Sequence, residues 1–151
     1  MRSRIVSTAL LISGLFSCSS DPGKVENISR YDSIRSHNNG QVCLRCHGPQ
    51  GNGKGHFTVA GSVYRYNQRD PHPAATVRLY SEDFQQGQLL LQIEVDKKGN
   101  FYTTEAVDML QPVYPVVYAS DGNHITEMNM PAPSGACNSC HDQSPVRIWV
   151  R

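Results

Sequence analysis

The pentapeptide Cys43-Leu44-Arg45-Cys46-His47 recurs near the far end of the chain as Cys137-Asn138-Ser139-Cys140-His141. Two thiols three positions apart with an imidazole immediately after them is the Cys-X-X-Cys-His form of a c-type haem attachment site. The thiols reach the two vinyl groups on one side of a porphyrin, and the adjoining imidazole falls under the iron. A ring held by its own thioether bonds needs no deep pocket, so the protein around it can be small. The repeat implies two covalently attached haem c groups. Cys43, Cys46, Cys137 and Cys140 are the attachment thiols, and His47 and His141 the proximal iron ligands.

Two other chemistries use the same cysteines. The four thiols make a tetrahedral zinc set, and each pair alone makes a reducible disulfide. Neither needs His47 or His141, and the same offset of both histidines favours haem.

The length, 151 residues, allows one ordinary domain with decorated ends. Hydrophobic residues make up 38 % of the chain, which suits a small soluble domain with a modest core. A formal charge of +1 gives no electrostatic reason to expect nucleic acid as a partner.

Residues 1–17 read as an export signal. Arg2 and Arg4 supply the positive end, and the run from Ile5 to Phe16 is apolar but too short to span a bilayer. Leu15-Phe16-Ser17-Cys18 resembles the lipobox of bacterial lipoproteins, which implies cleavage before Cys18 and a lipid on its sulfur. The alternative is an ordinary cleaved signal that leaves Cys18 a free thiol. Cysteine arithmetic supports the lipid: four of the five cysteines belong to the pentapeptides, and lipidation accounts for the odd one. Several acyl chains anchor stably where one does not. Ser19 stands where an Asp would imply retention at the inner membrane, so the resemblance implies an exported lipoprotein of a bacterial envelope, placed in the outer membrane rather than the inner.

Residues 18–39 carry no apolar run at either period and read as a flexible tether, and residues 40–56 as the first haem segment. The glycines of Gly48 to Gly55 forbid regular structure and let backbone pass close to the haem edge. Residues 57–130 change to a period of two. Strands are expected at Phe57 to Tyr64, Ala75 to Tyr80, Leu89 to Val95, Phe101 to Thr104, Val116 to Ser120 and His124 to Met130. Asp96-Lys97-Lys98-Gly99-Asn100 has hairpin chemistry, and Asp121-Gly122-Asn123 is a second turn. Residues 131–151 form the second haem segment, with Val146, Ile148 and Val150 facing inward from a short tail strand. The expected fold is mainly β: a small antiparallel Greek-key sandwich flanked by two irregular haem-attachment segments.

The middle resembles carboxypeptidase-regulatory-like and transthyretin-like domains at Ala60-Gly61-Ser62-Val63-Tyr64, Ala75-Thr76-Val77-Arg78-Leu79 and Val95-Asp96-Lys97-Lys98-Gly99-Asn100-Phe101. In such sandwiches the first and last strands run side by side in parallel. The resemblance therefore implies a crossed arrangement, with His124 as distal ligand beside the first haem, His72 beside the second, and the haems toward opposite ends. His37, six residues before Cys43, is the rival for the first haem, or else a solvated linker histidine. Met128 and Met130 read as core side chains on a strand.

These features together suggest electron transfer by a membrane-anchored dihaem c-type cytochrome in a periplasmic or outer-membrane chain. Its partners would be redox proteins, other cytochromes or copies of itself. The competing classes are a small haem enzyme with an open iron, of peroxidase or reductase type, and a zinc-binding or binding-module lipoprotein.

Overall fold

The computed structural model describes residues 27–142 and 146–151. The export signal and Cys18 lie outside the described residues. The protein is mainly β. Its strands are β1 (Val59–Ser62), β2 (Tyr64–Arg65), β3 (Thr76–Tyr80), β4 (Leu89–Glu94), β5 (Asn100–Thr103), β6 (Tyr114–Tyr118), β7 (Ile125–Glu127) and β8 (Trp149–Val150). One sheet has the order β4-β3-β6-β7, all antiparallel. An antiparallel ribbon of β1 and β5 and a short parallel pair of β2 and β8 complete the set. Among the described residues no helix is long and apolar enough to cross a membrane.

One core lies between the sheet and the ribbon. Val63, Ile93, Val95, Val113 and Val150 are fully buried in it, with Val59, Val77, Leu79 and Phe101 packed beside them. Full burial of side chains of this size is worth roughly 1.5–3 kcal/mol each against leaving them in water, so these residues drive the strands together. Leu89, Leu91, Ile93 and Val95 alternate as expected for one face, but burial increases along it: Leu89 is 46 % exposed and Ile93 fully buried. The edge strand runs out beyond the core at its first end.

The turn at Asp96 to Asn100 forms as its residues predict. The Asp96 carboxylate accepts from the Lys98 and Asn100 amides, and Gly99 takes a left-handed φ of +80°. The strands it joins are nevertheless not a hairpin: β4 pairs with β3 and β5 pairs with β1. The chain thus passes from one sheet to the other at this turn and returns between β5 and β6, as a Greek-key arrangement requires.

An expectation from the resemblance and one from the strand pattern are corrected. The last sandwich strand, β7, lies beyond β6 at the far edge of the sheet rather than beside β1. The parallel neighbour of β1 is the segment leading into the second pentapeptide, through a bridge between Ala60 and Ala136 in which the Ala60 amide donates to the Gly135 carbonyl at 2.9 Å. Met130 is 59 % exposed rather than in the core, because the chain leaves β7 before reaching it.

The expected tether is also shorter than its composition suggests. From Asn27 onward it lies along β5. The Asn27 amide donates to Thr104 Oγ1, the Ser29 amide to the Tyr102 carbonyl, and the buried Ser29 hydroxyl to the Glu94 carbonyl. Tyr31 reaches Thr76 Oγ1 through its own hydroxyl, and Ile28 packs on the core. The segment is held by backbone and hydroxyl bonds, which leave no apolar period in the sequence.

Gly135 sits where the second haem segment presses on β1. A β-carbon there would collide with the Thr58 carbonyl and stand 2.9 Å from the Val59 Cα. Gly135→Ala is expected to destabilise the protein by roughly 1–3 kcal/mol, as overpacking against backbone does. A lowered urea midpoint with an unchanged slope would show it.

Candidate functional site

The two pentapeptides adopt one local structure. In the first, Leu44–His47 forms a single helical turn, α1, with Cys43 already at helical dihedrals. In the second, Cys137–Ser139 forms a 3₁₀ turn. In both, the histidine amide donates to the carbonyl of the first cysteine, at 2.9 Å for His47 and 3.1 Å for His141. A helical turn puts positions i, i+3 and i+4 on one face. Each turn therefore presents two thiols and an imidazole together.

Both imidazoles are oriented the same way. His47 Nδ1 bonds the Lys54 carbonyl at 3.1 Å, and His141 Nδ1 bonds the Val146 carbonyl at 2.5 Å. A carbonyl can only accept, so each ring carries its proton on Nδ1 and leaves Nε2 as the basic nitrogen, which is how a backbone partner prepares a histidine to bind metal. The donor chemistry fits a haem at each motif.

The glycine loop serves this orientation. It folds back over its own motif: the Gly53 amide donates to the Cys46 carbonyl at 2.7 Å, and a β-carbon at Gly53 would stand 2.6 Å from His47 Nδ1. The glycines therefore make room first for the imidazole and the turn. On the other side His47 stacks on Phe57, centroids 4.4 Å apart, and Phe57 on Tyr102 at 4.8 Å.

Cys43 and Cys137 are partly buried, and Cys46 and Cys140 exposed. Burial pushes the Cys43 thiol up from its ordinary value, with the neighbouring Cys46 adding to the effect. Burial pushes Cys137 up to about 12, with smaller contributions from Cys43 and Cys140. The first cysteine of each motif is therefore a protonated thiol at neutral pH, not a reactive thiolate. All four are free thiols in this structure. Among the described residues no three His, Cys, Asp or Glu side chains gather around a metal position.

The distal candidates are sorted differently from the crossed arrangement. His72 is 3 % exposed, with Nδ1 bonded to the Pro73 carbonyl, and a side chain already enclosed by protein has no open face for a porphyrin. His124 lies on the turn between β6 and β7, where its Nδ1 meets the Asp121 carboxylate at 2.8 Å. His37 is the histidine brought to a motif: its ring centroid is 5.9 Å from that of His47, at an interplanar angle of 44°. It is not a linker residue, because Asn100 Nδ2 donates to the His37 carbonyl and to Ser36 Oγ, while Lys98 Nζ donates to the Ser36 carbonyl.

The two motifs also lie closer together than the resemblance implies. Asn138, an interior residue of the second pentapeptide, bonds the Gln41 carbonyl two residues before the first. Nothing in the sequence marks that position, since attachment places no demand on the residues between the cysteines.

Comparison with protein-family models, curated proteins and solved structures finds no match for this chain.

Proposed function

We propose that this protein is a dihaem c-type cytochrome that carries electrons, exported and held at a membrane through lipid on Cys18. The observation that carries this reading is the common build of the two pentapeptides: the same helical turn, with Nδ1 of each histidine bonded to a backbone carbonyl so that Nε2 is left for iron. Bound haem supplies reversible one-electron chemistry. Cys43 and Cys46 hold one ring, Cys137 and Cys140 the other, and Lys54 and Val146 fix the tautomers of His47 and His141.

His37 would supply the second ligand to the iron at the first motif. Its ring centroid lies 5.9 Å from that of His47, the nearest approach of another histidine to that motif among the ring contacts of the described residues. With imidazole on both faces that iron has no position for a substrate, which suits a carrier rather than an enzyme, and its potential lies below that of a His and Met pair.

Intact mass and absorption spectra of the mature protein test the reading, which requires two covalent haems. His37→Gly should leave both attached, turn one from low to high spin, and let carbon monoxide bind it rapidly. A wild-type protein that binds carbon monoxide or peroxide rapidly at both irons would indicate an enzyme. An unchanged His37→Gly spectrum would assign the ligand elsewhere.

A further inference from the structure

Given two haem motifs, we infer that the chain holds its haems as a close, fixed pair on either side of β1 and that Asn138 is the positioning residue that sets their spacing. This rests on the reading above and adds to it where the two attachment turns sit. Cys43 and Leu44 pack on Ala60, Phe57 and Tyr102. Cys137 lies over the next residue of the same strand, its Cβ 2.9 Å from where a β-carbon on Gly61 would be. A strand advances about 3.3 Å per residue and its successive side chains point to opposite faces. The two turns therefore stand across the ribbon from each other, separated by its thickness rather than by its length. Gly61 permits the approach: a β-carbon there would meet the Phe101 ring at 2.6 Å as well as Cys137.

Asn138 joins the two turns. It is 1 % exposed, and its amide is fully used: Oδ1 accepts from the Ser62 amide at 3.0 Å, while Nδ2 donates to the Gln41 carbonyl at 2.8 Å and to Ser62 Oγ at 3.1 Å. Ser62 Oγ in turn bonds Asn100 Oδ1 and receives the Gly40 amide. A plainer role, capping the Ser62 amide, would need only an acceptor. The donor arm to Gln41 is the part that ties the second motif to the first. Burying an amide is costly unless all its bonds are made, and here all are made between the two haem segments and the strand separating them.

Circular dichroism in the Soret band of the intact mature protein tests this, because chromophores held close at a fixed angle share excitation and give a two-signed couplet that neither gives alone. The references are two single-haem variants, Cys46→Ala with His47→Ala, and Cys140→Ala with His141→Ala. The wild type should show a couplet that the sum of the two references lacks. Asn138→Ala, with two haems by mass and an unchanged far-ultraviolet spectrum, should lose most of it. If Asn138→Ala fails to fold, the wild type against the summed references still decides the pairing. A wild-type spectrum equal to that sum, with two haems present, overturns the pair and leaves the cytochrome reading standing. An Asn138→Ala couplet as large as wild type overturns the role of Asn138. A wild-type protein without haem overturns both readings.

Discussion

Replacing Cys46 and His47 together with alanine is expected to remove one covalent haem and leave the other. The intact mass should fall by one haem, and the Soret absorbance to that of a single chromophore. The structural reason is that the second motif makes its turn from its own backbone, orients His141 through Val146, and docks on β1 through Gly135, none of which involves α1. The bond from Asn138 to Gln41 uses a main-chain carbonyl, which the substitutions keep. Loss of both haems would show that the motifs are loaded as one unit, and a haem-free wild type containing zinc would sink the assignment.

Cys18→Ala is expected to move the protein from the membrane fraction to the soluble fraction and to leave its haem spectrum unchanged. Lipid on Cys18 is the anchor proposed for this protein, and its loss would remove all of the acyl chains at once. Asn27, the first described residue, is nine positions further on and bonded to Thr104, and both Cys-X-X-Cys-His motifs lie beyond it in the sequence. Fractionation with absorption spectra of each fraction measures both effects. A variant that stays in the membrane fraction has another anchor.

The two pentapeptide turns and most strands were legible because their signals are local. A pentapeptide is a complete chemical unit, and alternation of apolar residues at period two needs only neighbours. Pairing was not legible, because turn residues such as Asp96 and Gly99 specify how the chain reverses and say nothing of which sheet the next strand joins. The crossed placement of His72 and His124 lost its premise for that reason: it depended on β7 lying beside β1. His37 and Asn138 were obscured by composition. One stands in a polar stretch that resembles a linker, and the other at a position where the motif accepts any residue, and only the bonds from Asn100, Lys98 and Ser62 reveal what they do.

The docking of residues 27–36 along β5 also sets how far the protein can roam. Had residues 18–39 all been free, the leash from the lipid to the first motif would reach about 70 Å fully extended. With Asn27 fixed, the chain from Cys18 spans at most about 30 Å. If Cys18 carries the proposed lipid, a carrier on so short a leash would sweep a thin layer next to the bilayer. Its redox partners would then be selected by height as well as by surface, and those whose electron entry points stand well above the membrane would lie outside its capture radius.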